Sequence, residues 1–310
     1  MQRVFAVGET VYDIIFRDHK PVTAQVGGSM LNTAVSLGRL GLDVYFISEY
    51  GPDSDPVGKL INEFLAYNLV NTELSNRSED GKSTISLAFL DENKNASYSF
   101  YKNPPYNRLN YPDFPINTND IVLFGSFYSL DREIRPVLIK ILEKASESGA
   151  IIIYDPNFRS PHLKELPSLK PIILENLKFS NIIRGSDEDF HFIFNSKSVD
   201  DAYKHINKES KAALIYTKNK NGVELISLKK KLHLNVPDLL PVSTIGAGDN
   251  FNAGLIWTIV MEGITRKNIE DLKEKQWTRI LNNGIRFASD VCMSYENYIS
   301  KEFAKEIMSE

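Results

Sequence analysis

The sequence predicts an α/β protein with an open, mostly parallel sheet, flanked by helices on both faces, and a small antiparallel sheet beside it. Short apolar runs typical of buried parallel strands alternate with stretches whose apolar residues recur at helical spacing. Such alternation is typical of open α/β folds. A hairpin pattern between residues 83 and 101 predicts the extra sheet. The predicted strands are 44–48, 121–124, 151–154, 181–183 and 213–216, and the predicted helices are 57–65, 135–145 and 199–206.

The chain opens on a predicted strand, the apolar residues 4–7, and Asp13 follows it closely. Ligands bind at the carboxyl edge of open α/β sheets, so Asp13 is expected near a ligand, where a carboxylate can accept hydrogen bonds from hydroxyl groups. Its alternative role is that of a turn residue. Gly27 and Gly28 let the chain pass close to a ligand. Asn32, one turn into the next helix, offers a donor and an acceptor, or else hydrogen-bonds the helix end.

Residues 83–90 and 96–101 show two strand patterns joined by the turn-rich residues 91–95. Together with residues 11–16 they are expected to form the small antiparallel sheet. An edge hairpin without a role at the site is the alternative. In the helix predicted for 135–145, Pro136 suits the first turn, and the three lysines 229–231 predict a solvated hairpin turn.

The most informative stretch, residues 243–254, places Gly246, Ala247, Gly248 and Asp249 directly against the start of an apolar helix. Residues this small let backbone N–H groups approach an anion, and the positive end of the helix dipole favours negative charge there. A carboxylate beside a phosphate repels it unless it accepts a proton from an attacking hydroxyl, so Asp249 is a candidate general base. The alternative is that Asp249 only caps the helix.

The spacing of its motifs and its composition argue against several other classes of protein. Residues 51–60 lack the spacing and the hydroxyl of a P-loop, and Gly254 falls too late for a dinucleotide fingerprint. The 310 residues include 36 basic and 40 acidic ones, a formal charge of −4, so neither a nucleic-acid nor a membrane partner is expected. The single cysteine, Cys292, excludes an internal disulfide, and without an apolar leader we expect a cytoplasmic protein.

Several motifs resemble those of the ribokinase-like (PfkB) family of sugar kinases. Residues 243–254 resemble its C-terminal signature, departing only at Ser243, and residues 27–34 and 38–41 resemble its glycine-rich N-terminal signature. The intervening matches are Gly8-Glu9 with Asp13, Gly51-Pro52-Asp53 with Gly58, and Asp155-Pro156-Asn157-Phe158-Arg159. The resemblance covers essentially the whole chain. It implies one sugar-kinase domain over residues 1–310, with a lid formed by about 11–25 and 83–103 that closes over the sugar.

The resemblance implies that Asp13, Gly27, Gly28 and Asn32 hold the acceptor sugar. Residues 155–159 are similar to the fructokinase and 2-keto-3-deoxygluconate kinase branches, which implies that Arg159 points into the cleft toward a phosphate or a carboxylate. Those branches carry an aromatic-aromatic-Arg element in the lid, and here it is Phe100-Tyr101-Lys102. Lysine lacks the bidentate fork of arginine, so Lys102 favours neutral fructose over a sugar acid.

Looser matches to motifs of the family imply which residues bind the nucleotide. Thr217 and Gly222 belong to a loop that resembles the family's Thr-x-Gly-x-x-Gly, and Asn219, in place of the first glycine, can still adopt a left-handed conformation. Asp189 stands where the family has a glutamate tied to magnesium, and Asn283 lies in a segment that resembles the adenine-side wall. The implied cofactors are ATP and Mg²⁺, with a monovalent cation (K⁺) as a further candidate.

The function implied is ATP-dependent transfer of the γ-phosphate to a primary hydroxyl of a small sugar, with fructose as the expected acceptor. Asp249 takes the hydroxyl proton, and the amides of residues 246–248 stabilise the transferred group. A 2-keto-3-deoxygluconate kinase and a ribose or nucleoside kinase remain alternatives. So does a catalytically silent sugar-binding or regulatory protein on the same fold. Exposed lid edges predict a homodimer formed through the lid.

Overall fold

The computed structural model describes residues 2–90, 96–108 and 111–310, and within these ranges it contains one nine-stranded and one four-stranded β-sheet. The strands are β1 (Arg3–Val7), β2 (Val11–Arg17), β3 (Lys20–Gly27), β4 (Asp43–Ile47), β5 (Val70–Asn71), β6 (Lys82–Leu90), β7 (Ala96–Asn103), β8 (Ile121–Gly125), β9 (Ile151–Asp155), β10 (Ile182–Ser186), β11 (Ala213–Thr217), β12 (Val223–Ile226) and β13 (Lys231–Leu234). The helices are α1 (Ser29–Arg39), α2 (Pro56–Tyr67), α3 (Arg135–Ser148), α4 (Leu166–Phe179), α5 (Asp187–Phe194), α6 (Val199–Glu209), α7 (Ala247–Met261), α8 (Glu274–Cys292) and α9 (Lys301–Ser309).

The nine-stranded sheet has the order β13-β12-β11-β10-β9-β8-β1-β4-β5. All pairs from β11 to β5 are parallel, and only the edge strands β12 and β13 are antiparallel. The sequence prediction of an open, mostly parallel sheet is confirmed. Each strand predicted for this sheet is present within three residues of its predicted bounds.

The strand order reverses at β1, which pairs with β4 on one side and β8 on the other. The chain therefore winds outward in both directions from this point, and the carboxyl ends of β1 and β8 open a crevice between them. Ligands of open α/β sheets bind at such a switch point. Gly8 and Glu9 follow β1 here, and Ser126 follows β8.

Alternate residues of each central strand enter two separate cores. Val4 and Ala6 of β1 face the core formed with α1, α2, α7, α8 and α9, whereas Phe5 and Val7 face the core formed with α3, α4, α5 and α6. This period of two, with apolar residues on both faces, is the reason that the strands appear in the sequence as unbroken apolar runs. None of the helices in the described part of the chain is long and apolar enough to cross a membrane.

The four-stranded sheet has the order β3-β2-β6-β7 and contains both segments predicted for the lid. The pairs β2–β3 and β6–β7 are antiparallel as expected, but the central pair β2–β6 is parallel. The prediction of an antiparallel sheet is therefore wrong for its central pair, because the chain leaves through α1, β4 and α2 before β6 returns beside β2. The predicted turn at residues 91–95 lies outside the described residues.

Candidate active site

A cleft of about 2310 Å³ opens at the carboxyl edge of the large sheet. The four-stranded sheet, which we call the lid sheet after its predicted role, borders this cleft. A second cavity, of about 520 Å³, lies near the ends of α4 and α6 and contains none of the predicted site residues. The cleft brings together residues predicted from distant parts of the sequence: Asp13, Gly28, Asn32, Lys102, Arg159, Asp189, Thr217, Gly222, Gly246, Ala247, Gly248 and Asp249.

Asp249 lies in the first turn of α7, but its side chain makes no helix-capping hydrogen bond. Its Oδ1 accepts a hydrogen bond from the Ser29 hydroxyl at 2.6 Å, and its Oδ2 accepts one from Asn32 Nδ2 at 2.8 Å. Thr33 fixes the same residue by donating from Oγ1 to the Asp249 carbonyl at 2.7 Å. The capping alternative is therefore wrong, and α1 orients the carboxylate instead.

Burial raises the pKa of Asp249 to about 6, and the two hydrogen bonds from Asn32 and Ser29 oppose this shift. The negative charge of Asp155 raises the pKa further, and Arg159 lowers it. A carboxyl with this pKa is mostly ionised at neutral pH, yet holds a proton more readily than a solvated aspartate does. This is the tuning that a general base requires.

Residues 246–248, which we call the anion turn, form the start of α7. Gly246 is left-handed, with φ of 79°, and a side chain there would also press on the carbonyl of Asn297 at 2.8 Å. Asn250 holds the turn by donating from Nδ2 to the carbonyls of Gly246 and Asn297, both at 2.8 Å. The turn thus has a fixed backbone at the positive end of a fifteen-residue helix, as an anion site requires.

The two predicted glycines at the end of β3 allow close approach of chain segments. A Cβ on Gly27 would lie 2.6 Å from Oδ2 of Asp13, and one on Gly28, whose φ is 135°, would lie 2.2 Å from the carbonyl oxygen of Glu9. Asp13 is paired with Gln25 and Ser86 within β2 of the lid sheet, so its alternative role as a turn residue is wrong. Burial raises its pKa to about 6, with the Ser86 hydroxyl acting in the opposite direction.

Asn32 contributes more than its hydrogen bond to Asp249. Its side chain is 4% exposed, and its Oδ1 has no hydrogen-bond partner. A buried acceptor without a partner is costly, so this oxygen is available for a donor that enters the cleft, such as a sugar hydroxyl. Lys102 of β7 and Arg159 after β9 are exposed side chains that also line the cleft.

The predicted nucleotide loop after β11 is present. Asn219 adopts the left-handed conformation, with φ of 50°, and Gly222 has φ of 92°. The Lys218 amide donates to the Gly222 carbonyl at 2.9 Å and closes the loop. The prediction that asparagine can replace the first glycine of this turn is confirmed. Thr217 ends β11 beside the loop.

The surroundings of Asp189 and Asn283 differ from those predicted for a magnesium ligand and a nucleotide-binding residue. Asp189 caps α5: its Oδ1 accepts from the Phe158 amide and its Oδ2 from the amide and hydroxyl of Ser186, so three protein donors surround the predicted magnesium ligand. Both carboxylate oxygens of Asp189 thus already accept hydrogen bonds from the protein. Binding of magnesium by Asp189 stays a prediction. Asn283 donates to Thr258 Oγ1 at 2.9 Å in the packing of α8 on α7 and is not a lining residue of the cleft. The cleft-facing residues of α8 are Ile285, Ala288, Ser289 and Cys292.

Comparison with known proteins agrees with this geometry. The family model of the pfkB family carbohydrate kinases matches residues 1–278. The chain belongs to this family. A fructokinase from Rhizobium leguminosarum bv. trifolii is 27% identical over 281 residues, which cover 88% of this chain and 84% of that protein.

Solved structures share the fold of this carbohydrate kinase. A fructokinase double mutant from Vibrio cholerae O395, bound to fructose, ADP and potassium ion, superposes with a TM-score of 0.84 at 17% identity and covers 99% of this chain and 98% of that one. Aminoimidazole riboside kinase from Salmonella enterica, in complex with aminoimidazole riboside and an ATP analogue, gives a TM-score of 0.82 at 18% identity, with 99% and 100% covered.

Several residues of the kinase site escaped the sequence analysis. Ser29 lies inside the N-terminal signature, where nothing in the sequence singles it out, and its hydroxyl holds Asp249. Arg184 and Asp155 form a buried ion pair at 3.0 Å, and Asn252 donates to the same Asp155 oxygen at 2.7 Å. A charged residue inside the apolar run of β10 was the available signal for Arg184, because charged groups are seldom buried without a partner.

The lid side of the cleft also contains an ionic cluster that the sequence did not predict. The guanidinium of Arg108 pairs with Glu49, with Asp131 at 2.8 Å and with Glu133 at 2.9 Å. Three carboxylates surround this one cation, and two of them, Glu49 and Asp131, line the cleft together with Arg108. The partners come from 49, 108 and 131–133, which only the folded chain brings together.

The described residues contain no group of three or more His, Cys, Asp or Glu side chains placed to hold a metal ion. The carboxylates nearest the anion turn, those of Asp155, Asp189 and Asp249, already accept hydrogen bonds from protein groups. A magnesium ion fits this donor set only if phosphate oxygens and water supply most of its ligands, as is usual for this ion.

Proposed function

We propose that this carbohydrate kinase transfers the γ-phosphate of ATP to the primary hydroxyl of a neutral sugar, with fructose as the acceptor. The observation that carries the proposal is the position of Asp249: a carboxylate with raised pKa, held by α1 and directly adjacent to the anion turn. A silent binding protein gains nothing from a carboxylate beside a phosphate site, because the two negative charges repel.

The chemistry follows from this placement. Asp249 accepts the proton of the sugar hydroxyl as its oxygen attacks the γ-phosphorus and the bond to the ADP oxygen breaks. The backbone amides of the anion turn donate to the oxygens of the transferred group. Magnesium, when bound with the nucleotide, neutralises phosphate charge. The loop of Thr217 and Gly222 borders the nucleotide side of the cleft.

The lid residues support a neutral acceptor. Asp13 of β2 and the unpartnered Oδ1 of Asn32 are acceptors for sugar hydroxyls. The Arg108 cluster adds negative charge to the same side, which opposes a sugar acid. The second candidate, a 2-keto-3-deoxygluconate kinase, is favoured by the exposed cations Lys102 and Arg159, which could pair with a carboxylate.

A coupled assay of ADP release tests both candidates with fructose, tagatose, ribose, 2-keto-3-deoxygluconate and nucleosides as acceptors. We expect the highest kcat/KM with fructose, and we expect Lys102→Ala to lower activity with the sugar acid more than with fructose. If 2-keto-3-deoxygluconate is used about tenfold more efficiently than fructose, Lys102 and Arg159 are the carboxylate-binding pair and the neutral-sugar proposal is wrong.

We also propose that the lid sheet closes over the sugar and pairs two copies in a cytoplasmic homodimer. Val22 and Tyr101 of this sheet are 54% and 61% exposed, which leaves apolar surface for a second copy. Light scattering of the wild type and of a Val22→Lys, Tyr101→Lys variant tests the dimer. A monomeric wild type would exclude it without affecting the kinase assignment.

A further inference from the structure

Arg184 is a buried cation at the carboxyl ends of three adjacent strands. It is the third residue of β10 and is 8% exposed. Its Nη1 donates to Oδ2 of Asp155, at the end of β9, at 3.0 Å, and its Nη2 donates to Oγ1 of Thr217, at the end of β11, at 2.9 Å. Asp155 is completely buried. One planar guanidinium therefore links β9, β10 and β11 at the edge that faces the cleft.

The same guanidinium lies against the anion turn. A Cβ added to Gly248 would lie 2.5 Å from Nη1 and 3.0 Å from Nη2 of Arg184. Gly248 lies within helix α7 and needs no left-handed backbone, so its missing side chain is explained by the space that Arg184 fills. Any displacement of the guanidinium therefore changes the support of the turn.

The buried polar cluster of Arg184, Asp155 and Asn252 is poorly arranged for stability alone. Buried ion pairs contribute little to stability, because desolvation offsets their attraction. Nε of Arg184 and Oδ1 of Asn252 are both buried without a hydrogen-bond partner, although Asn252 Nδ2 donates to Asp155 at 2.7 Å. Unsatisfied groups of this kind persist where a site requires them.

The charges of this cluster lie close to Asp249, the proposed general base. The charged groups near Asp249 are Asp155 at the end of β9, Arg159 in the loop that follows, and Arg184 from β10, whereas α1 presents the neutral Ser29 and Asn32. Asp189 lies behind them, and its pKa is raised by burial and by the charge of Asp155. Without Arg184, only the exposed Arg159 would offset the carboxylates around the site that receives a phosphate.

Resting on the proposed kinase activity, we propose that Arg184 is a positioning residue for phosphoryl transfer. It supports the anion turn through Gly248 and neutralises Asp155, so that the turn accepts the terminal phosphate and Asp249 remains ionised. In this proposal Arg184 acts through these groups.

The test compares Arg184→Met with Arg135→Met. Arg135 is a matched control: its side chain is 12% exposed and pairs with Glu175 at 2.6 Å and Asn176 at 2.5 Å, away from the cleft. We expect Arg184→Met to lower kcat by about 10²-fold and to weaken binding of an imido analogue of ATP about tenfold, with a small change in the KM for sugar. Arg135→Met should lower only the melting temperature.

The pH profile separates positioning from simple destabilisation. In Arg184→Met the charge of Asp155 is no longer neutralised, which raises the pKa of Asp249 and moves the acid limb of the kcat profile to higher pH. Adding Asp155→Asn removes that charge, and the acid limb should return toward its original position. Arg184→Lys keeps the charge but cannot bind both partners, so it should keep the acid limb while kcat falls.

Each result decides the inference. If Arg184→Met keeps wild-type kcat, or loses activity only in proportion to its folded fraction with an unmoved acid limb, Arg184 is structural and the inference is wrong. If Arg184→Met does not fold, Arg184→Lys decides by kcat and by binding of the imido analogue: wild-type values of both, or losses only in proportion to the folded fraction, would show that Arg184 is structural. If the wild type phosphorylates no sugar, the proposed function fails, and binding of the imido analogue still tests whether Arg184 supports the anion turn.

Discussion

At the scale of single residues, Asp249 combines two opposing requirements, ionisation and burial. Its neighbours Ser29 and Asn32 both donate to it, and Ser29 can rotate its hydroxyl to accept instead. Asp249→Asn should therefore fold, bind sugar and nucleotide, and lose about 10²–10⁴-fold in kcat, because an amide cannot take the proton. The wild-type kcat should fall as the pH drops below about 6.

Calorimetric binding of ADP and sugar to Asp249→Asn is the control for its fold. Turnover within a few-fold of wild type would show that Asp249 is not the base.

A second residue-level prediction concerns the glycines of the anion turn. Gly246→Ala forces a left-handed alanine and presses on Asn297, and Gly248→Val drives a branched side chain into Arg184. Both should lower kcat sharply. Gly263→Ala is the matched control, since Gly263 also has positive φ, 60°, but a Cβ there has nothing within 4 Å and the residue lies outside the cleft lining.

Assays at a temperature well below the melting point of each variant give the comparison. If Gly246→Ala and Gly263→Ala lost equal activity, the loss at Gly246 would come from backbone strain alone and not from a role of the turn in binding phosphate.

At the scale of elements, strand β2 carries Asp13 from the lid into the cleft. Asp13→Ala should raise the KM for sugar by roughly tenfold or more and change the KM for ATP little, because a hydrogen bond to a charged group contributes about 1.5–3 kcal/mol. Asp18→Ala, at the exposed turn of the same hairpin, should change neither KM. A larger effect of Asp13→Ala on ATP than on sugar would contradict this assignment.

The segment between β8 and the next helical turn holds strained backbone. Ser126 has φ of 53° and ψ of −167°, a region that is open essentially only to glycine, and it lies at the switch point of the sheet. Ser126→Gly should raise the free energy of unfolding by on the order of 1 kcal/mol, because the strain is relieved.

Ser129→Gly is the control. Ser129 lies in the adjoining helical turn and its Oγ donates to the Ser126 carbonyl, so Ser129→Gly should lower the free energy of unfolding. Chemical denaturation measures both, and a less stable Ser126→Gly would show that the hydroxyl matters more than the strain.

At the scale of the whole molecule, two partly buried carboxyls link stability to pH. The folded pKa values of Asp13 and Asp249 are raised to about 6, above the ordinary 3.8, so protonation favours the folded state. The stabilisation they give is complete below about pH 4 and is lost as the pH rises through about 6. Asp13→Asn combined with Asp249→Asn should therefore be more stable than wild type at about pH 7.5 and equal to it near pH 4.

Thermal melting across this pH range measures the difference between the two proteins. A stability difference that does not change with pH would show that neither carboxyl has a raised pKa in the folded state.

The sequence by itself determined the sheet, most of its strands and the anion turn. Apolar runs and helical spacing are local signals, and the 246–249 motif contains its glycine turn and its carboxylate within four residues. The left-handed Asn219 was predictable for the same reason, because asparagine tolerates that conformation on its own.

Only the tertiary structure decided which groups surround Asp249. Ser29 and Asn32 reach it across more than two hundred residues, Arg184 of β10 lies against Gly248 of α7, and Glu49 meets Arg108 beside the lid sheet. The parallel β2–β6 pair and the hydrogen bond from the Phe158 amide to Asp189 likewise depend on where distant segments meet. Such contacts leave no periodic pattern in a single sequence, because each is fixed by packing of elements that are far apart along the chain.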